Sequence, residues 1–458
     1  MHVYFLLQNL VNLRSIMLQS SKDLIEIPDL SRATNLERVY LCQCESLSQL
    51  PRLIFLDLED CIKIESLKTN IHSKSLCKLK LGGCSSLIEF SVTSEEMTKL
   101  TLHGTAIREL SSSIWRNRKL TSLGLTECKK LNIVGNKLSN DHGLGSLTEL
   151  DLSGCTEINA LSLWSILDGI QSLKRLKLKE CCNLECLPEN IRNHSMLKRL
   201  DLDDCRKLVS LAELPPSLLY LKAVNCNYLD TNSTQRLLLE NMVQTFSIDT
   251  PDEDGVFYFS LLPGAQVPCN FDFKTIEASI SIPPIPKSNL CGFIFCIVLS
   301  ECFSVYEHSL HCVIFEHGKE VDRCRLSCNY LGTLISDHLL ICWHGYNNQA
   351  SGSYDFCNLS FQFLLQGHKE KLWWSTEGIK GCGVLPVYDL ERELEGDSSS
   401  ITSTQDSEGD DTDEVESSNN ENEDDQKHPW CSIGMNLFTH FRIINSILVY
   451  FKLVRKLF

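Results

Sequence analysis

Along the first half of the sequence the series L-x-x-L-x-L-x-x-C-x-x-L-x-x-L returns at a near-constant interval. Aligned on its first place it opens at Leu13, Leu36, Leu53, Leu76, Met97, Leu120, Leu147, Leu173, Leu197 and Leu218, so that successive starts lie about 23 residues apart. In the second unit the series is Leu36, Val39, Leu41, Cys44, Leu47 and Leu50; in the eighth it is Leu173, Leu176, Leu178, Cys181, Leu184 and Leu187. Its fourth and sixth places are two apart, a period that sets both side chains on one face of a strand. One such unit cannot bury its leucine face alone, whereas stacked units bury it against one another. The pattern therefore predicts an α/β leucine-rich-repeat solenoid of ten units over residues 13–235, with one short parallel strand per unit lining a concave face.

Cysteine holds the ninth place in eight units: Cys44, Cys61, Cys84, Cys128, Cys155, Cys181, Cys205 and Cys226. The turn after each strand is crowded by the units above and below. Its ninth residue must be small, apolar enough to bury and able to make a weak hydrogen bond to the backbone, and a thiol meets all three demands. Ser21 and Thr105 stand at the same place and are expected to serve the same turn. The chain has 23 cysteines in all. No pair of CxxC motifs is present, so a zinc site is not expected, and the stretch before Leu13 makes a poor signal peptide. Reduced thiols inside the cell fit best.

Alternation names the side chains that point off the concave face: Arg38, Tyr40, Phe55, Asp57, Glu59, Lys78, Lys80, His103, Arg175, Lys177, Lys179, Arg199, Asp201 and Asp203. Equal offsets in successive units are neighbours, so Lys80 is expected to pair with Asp57 and Lys177 with Asp201. The face reads first as a solvated charge ladder and second as a docking surface for a protein partner, and the two are compatible. Replacing Arg175, Lys177 and Lys179 together is expected to weaken such binding and leave the fold intact.

From about residue 251 the period stops, and short runs rich in Phe, Ile, Val and Cys take over: "GVFYFSLLPG", "ASISIPPIP", "CGFIFCIVLS", "HCVIF", "DHLLICW", "FCNLSFQFLL" and "CGVLPVY". They predict an all-β sandwich over 251–390, set against the last repeats. Residues 391–426 carry fifteen acidic residues against one Arg, and 427–458 carry five basic residues and no acid. That leaves the first 390 residues at −7 of the total −16, with no basic field for nucleic acid. The segment 391–429 reads as a disordered acidic tail. The apolar, basic segment 430–458 is too short of uninterrupted apolar residues to span a bilayer. It reads either as a weak contact to an anionic membrane surface or as an accident of the reading frame. Residues 1–12 are too few to cap the first repeat, and an upstream portion is expected.

The repeats, with "IEIPDLSRATNLERVYLCQCESL", resemble those of plant intracellular disease-resistance receptors of the Toll/interleukin-receptor, nucleotide-binding, leucine-rich-repeat type. "LLPGAQVP", "GFIFCIVLS", "SDHLLICW", "LSFQF" and "IKGCGVLPVY" look like the jelly-roll and immunoglobulin-like domain that comes after the repeats in that family. The resemblance covers roughly residues 3–390. It departs after "PGAQVP", where the family places a polar residue and Trp and this chain has Cys269 and Asn270, with Phe271 and Phe273 nearby. It implies a protein-recognition module of an immune receptor that binds a pathogen effector or an effector-modified host protein. The receptor's own nucleotide-binding domain is a further partner, and the cytoplasm is the compartment, with the nucleus second. The family's NAD-cleaving and nucleotide-binding domains have no counterpart here. Gly318-Lys319 is followed by Glu320, not by the Ser or Thr of a phosphate loop. No catalysis, cofactor or metal is therefore expected.

His308, His311 and Cys312 lie close in sequence, as do His338, Cys342 and His344. They read as structural histidines, because a Cys/His site would also need a third, orienting group. The glycosylation patterns at Asn193, Asn232 and Asn358 carry no meaning without export. An F-box-type substrate receptor of a ubiquitin ligase also uses cysteine-bearing repeats, and it stands as the alternative. It would need an F-box helix cluster ahead of the repeats. A secreted repeat receptor would want Asn at the cysteine place and a signal peptide, and neither is present.

Overall fold

The computed structural model describes residues 14–24, 37–43, 55–67, 72–73, 75–132, 144–245, 258–286, 290–301, 308–326, 333–345, 356–367 and 374–388. Leu13, Leu36, Leu53, Cys44, the acidic tail and the segment 430–458 lie outside the described residues.

Each unit supplies one three-residue strand: β1 Ser15–Met17, β2 Arg38–Tyr40, β3 Phe55–Asp57, β4 Lys78–Lys80, β5 Lys99–Thr101, β6 Ser122–Gly124, β7 Glu149–Asp151, β8 Arg175–Lys177, β9 Arg199–Asp201 and β10 Tyr220–Lys222. They stand side by side in chain order, all parallel and without a register slip. The middle residue of each strand is apolar and points inward; Val39, Leu79, Leu100, Leu150 and Leu200 are wholly buried. This is a leucine-rich-repeat solenoid, with its core running as one continuous stack along the units.

The turn after each strand explains the cysteine. Cys61, Cys84, Cys128, Cys155, Cys205 and Cys226 each direct the thiol at the carbonyl of the preceding unit's inward leucine, at 3.0 to 3.2 Å, and Cys181 does so at 3.4 Å. That leucine carbonyl also accepts the backbone N–H of its own unit's cysteine, as Leu58 does from Cys61 at 3.2 Å. A thiol thus links each turn to the next where a larger residue would not fit. Thr105 departs from the pattern: its hydroxyl donates to Leu102 of its own unit at 2.8 Å and meets the Cys128 sulfur at 3.4 Å. Burial pushes the Cys84 and Cys205 thiols up to about 12, so they stay protonated.

The residue just before the ninth place adopts the left-handed conformation in every unit: Ser20, Gln43, Asp60, Gly83, Gly104, Glu127, Gly154, Glu180, Asp204 and Asn225. The leucine and cysteine period does not report this requirement. It is nonetheless written in the residues, because Gly, Asp and Asn, which tolerate that region best, hold six of the ten places.

After β10 the chain forms helix α1, Thr231–Thr245, which the sequence pattern did not predict. Asp230 caps it; hydrogen bonds from Ser233 and from the Asn232 backbone hold its carboxyl below the usual range. Leu238 packs into the repeat core, while Leu239 and Met242 pack against Ile294, Val298 and Ile341 of the following unit.

That unit consists of two antiparallel sheets. Strands β11 Phe259–Pro263, β12 Phe273–Thr275, β14 Leu290–Leu299, β17 His338–Gly345 and β20 Ile379–Tyr388 form one, in the order β11-β17-β14-β20-β12. The other is β13 Ser279–Ser281, β18 Leu359–Gly367, β15 His308–Glu316 and β16 Lys319–Arg325, with β19 Trp374–Ser375 beside β18. The sheets pack through Phe293, Phe295 and Ile297 on one side and Cys312, Phe361 and Phe363 on the other. Strand β11 runs parallel to β10, with Tyr220 beside Phe259 and Lys222 beside Leu261, so the repeat sheet continues into the first of these sheets. Phe271 is buried against Ile294 and Val298, and Phe273 is half-buried, while Cys269 is exposed.

Candidate interaction surface

The register arranges the outward side chains in rows. One row runs Arg38, Phe55, Lys78, Lys99, Ser122, Glu149, Arg175, Arg199 and Tyr220; the next runs Tyr40, Asp57, Lys80, Thr101, Gly124, Asp151, Lys177, Asp201 and Lys222. Tyr40 and Phe55 meet diagonally, with ring centroids 5.2 Å apart. Lys80 pairs with Asp57 at 3.2 Å and with Glu59 at 3.6 Å, as expected, although Asp57 is itself buried. His103 lies across Gly82, where an added Cβ would fall 1.8 Å from the ring.

Lys177 and Asp201 are register partners, yet they do not form the expected pair. Lys177 turns back to Glu149 at 3.3 Å and Asp151 at 3.4 Å, while Asp201 takes Lys179 at 3.1 Å. Two carboxylates on one side offer a better field than one on the other. Burial acts against the charge on Lys179, but Asp201 and Asp203 raise its pKa above the ordinary value. Burial, then Asp203, raises Asp201. Lys179 lies within reach of both acids, 3.1 Å from Asp201 and 3.5 Å from Asp203. Arg175 stands 3.8 Å from Glu149 and belongs to the same ladder.

The ladder ends in a buried knot where repeats meet the two-sheet unit. Lys222 is 2% exposed and its Nζ lies 2.7 Å from Asp203 Oδ2. Asp203 Oδ1 accepts the Val224 N–H at 3.0 Å. His338, at the start of β17, is fully buried; its Nε2 accepts the Asn225 N–H at 3.0 Å, which leaves Nδ1 to donate to the Ser336 carbonyl at 2.7 Å. Asn225 Oδ1 accepts the Ile335 N–H at 3.1 Å.

Burial lowers the His338 pKa below 6.5, against the raising effects of the Ser336 carbonyl and of Asp203, Asp337 and Asp204. The native state thus holds the neutral ring while the unfolded chain takes up a proton. Stability from this group is complete above the unfolded pKa of about 6.5 and is lost as pH falls below it. Urea midpoints are expected to drop from pH 7 to pH 5, and His338→Gln to flatten that slope. An unchanged slope in the variant would refute the assignment.

The other histidines and cysteines separate. His311 and Cys312 are adjacent on β15 and face opposite ways: His311 meets the edge of Trp374 at 5.0 Å, and Cys312 enters the core. His344 stacks on Phe295 at 6.0 Å inside the two-sheet unit and pairs through Nε2 with Asp322 at 3.3 Å. Among the described residues no group of three His, Cys, Asp or Glu is arranged to hold a metal, and no helix is long and apolar enough to cross a membrane.

No protein-family profile matches the chain. Several curated proteins of Arabidopsis thaliana do. Protein SUPPRESSOR OF npr1-1, CONSTITUTIVE 1 is 35% identical over 423 residues, covering 80% of this chain and 28% of that protein. Disease resistance protein RPP5 is 32% identical over 458 residues, and disease resistance protein RPS6 is 27% identical over 467; each match covers 83% of this chain. The chain spans 28 to 40% of the length of these three relatives. Among solved structures, the leucine-rich repeat domain of the type III effector XCV3220 (XopL) aligns with a TM-score of 0.33 and 26% identity, covering 48% of this chain and 78% of that one. Repeat geometry defines the chain as a leucine-rich-repeat protein. Its homologues are plant disease resistance proteins of the Toll/interleukin-receptor, nucleotide-binding, leucine-rich-repeat kind, and it matches a part of them.

Proposed function

We propose that this chain is a recognition module of plant defence, which binds a pathogen effector, or a host protein altered by one, across its concave face and the adjoining two-sheet unit. That unit, residues 258–388, is read as the jelly-roll and immunoglobulin-like domain that comes after the repeats in the family. The observation that carries the reading is the fixed register of the outward rows. It holds Arg38, Tyr40, Phe55 and Lys78 side by side on rigid strands, and it ties most other charges of the face to one another. Aromatic residues flanked by a cation are the usual anchors of a protein interface. The module recognises and does not catalyse, works without a cofactor and in the cytoplasm or nucleus, and in a full receptor would also contact the nucleotide-binding domain.

The test is affinity purification of the tagged chain from leaf tissue co-expressing candidate effectors, beside a Tyr40→Ala, Phe55→Ala, Lys78→Ala variant. An effector or host protein should bind the wild type and lose at least about tenfold in the variant, a loss of roughly 1.4 kcal/mol or more. The melting temperature should be unchanged. A partner that binds both chains equally would remove the concave face from the reading.

A further inference from the structure

Strand β16 stands at the end of the second sheet among the described strands, and on it Asp322 and Cys324 occupy alternate places and share a face. Cys324 stands directly opposite Cys312 of β15. Antiparallel partners of this kind have Cα atoms about 4.5–5.5 Å apart, inside the span of about 4.4–6.8 Å that a disulfide bridges without moving the backbone. From the opposite sheet His344 reaches across, its Nε2 3.3 Å from Asp322 Oδ2. The Cys324 thiol has Cys312 and His344 as neighbours. Cys312 is wholly buried and Cys324 is partly buried beside it. Asp322 is the third, orienting group that a Cys/His site requires, and the histidine comes to it from the other sheet.

We propose that Cys324 and Cys312 form a dithiol oxidised by hydrogen peroxide, with Cys324 the attacking sulfur, Cys312 the resolving sulfur, and His344, held by Asp322, the group that positions the attacking thiolate.

The environments divide the labour. Hydrogen bonding from Cys312, and then from His344, brings Cys324 down to about 6 against its burial. Burial would lower His344, but Asp322 and Cys324 hold it up to about 9. Burial and the neighbouring Cys324, Cys342 and Cys382 push Cys312 well up. Near neutral pH the site therefore holds a thiolate on Cys324, an imidazolium beside it and a protonated thiol on Cys312. In the first step the Cys324 sulfur attacks one peroxide oxygen and the O–O bond breaks. Cys324 becomes a sulfenic acid, and the departing hydroxide takes a proton from His344 or solvent and leaves as water. In the second step the Cys312 sulfur attacks the Cys324 sulfur, the S–S bond forms as the Cys324 S–O bond breaks, and the hydroxide leaves as water with the Cys312 proton. Two thiols lose two electrons to one peroxide.

This inference stands apart from effector recognition. The test uses the full chain. In limiting iodoacetamide, followed by peptide mass spectrometry, Cys324 should react at a nearly constant rate from pH 6.5 to pH 9. Free cysteine in a parallel reaction should quicken by more than tenfold over that range. One equivalent of peroxide should join the Cys312 and Cys324 peptides with loss of two hydrogens. Cys312→Ser should instead accumulate a dimedone adduct on Cys324, and His344→Gln should restore a steep pH profile. If Cys324 in the wild type shares the steep profile of free cysteine, or if peroxide joins no Cys312 to Cys324, the proposal is wrong. Neither wild-type measurement depends on a variant folding.

Discussion

Replacing Lys222 with alanine is expected to destabilise the chain by about 3 kcal/mol, the lower end of the usual cost of about 3–5 kcal/mol for orphaning a buried charge. The reason is geometric. Lys222 and Asp203 are both buried at the seam, 2.7 Å apart, and removing the ammonium leaves the carboxylate with the Val224 N–H and a more distant lysine. Lys179 lies 3.5 Å from the same oxygen, which keeps the loss from the top of that range, but it is already shared with Asp201 at 3.1 Å. Asp203→Asn should cost a similar amount, because it removes the charge 2.7 Å from the buried Lys222 ammonium. The double variant Asp203→Asn, Lys222→Met should recover most of the loss, since a buried pair replaced as a unit is often nearly neutral. Urea unfolding of the four proteins closes the cycle. Single variants within about 1 kcal/mol of wild type would mean that water reaches the seam and screens the pair.

The solenoid was legible because each of its demands is local. A leucine every second place gives the strand, a cysteine three places on gives the turn, and repetition makes both unmistakable, as in Leu176, Leu178 and Cys181. The concave residues came from alternation alone. The pattern does not contain the choice between neighbours: Lys177 had Asp201 on one side and Glu149 and Asp151 on the other, and only the summed field decides. Helix α1 escaped for a different reason. Its run of Leu237, Leu238 and Leu239 has no helical period, and each leucine is placed by whichever surface it meets, the repeat core for Leu238 and the two-sheet unit for Leu239. The seam and the thiol site are illegible in principle. Asn225 and His338 are 113 residues apart. Proximity along the chain groups His344 with His338 and Cys342, whereas its chemical neighbours Cys324 and Asp322 come from the facing sheet.

Phe295→Ala should be as damaging as any seam variant, and its effect should travel. Phe295 is wholly buried between the sheets, with ring centroids 5.4 Å from Phe361 and 5.5 Å from Phe363. Truncating such a residue costs about 3–5 kcal/mol in lost burial and cavity. The two-sheet unit is not an isolated body. Strand β11 pairs with β10 and hides its edge: the Phe259 N–H donates to the Leu219 carbonyl at 3.0 Å, and the Ala223 N–H to the Leu261 carbonyl at 2.8 Å. When that unit opens, β10 loses those partners, and in a solenoid each repeat leans on the next. Hydrogen exchange read by mass spectrometry should therefore show lost protection across residues 258–388 and in β10 and β9, fading toward β5. A loss confined to 258–388 would show that the repeats close their own end and that the seam adds nothing to them. A uniform loss along the whole chain would make repeats and sheets a single cooperative unit. The graded result alone fits a solenoid whose last strand is held in place by β11 and the sheets behind it.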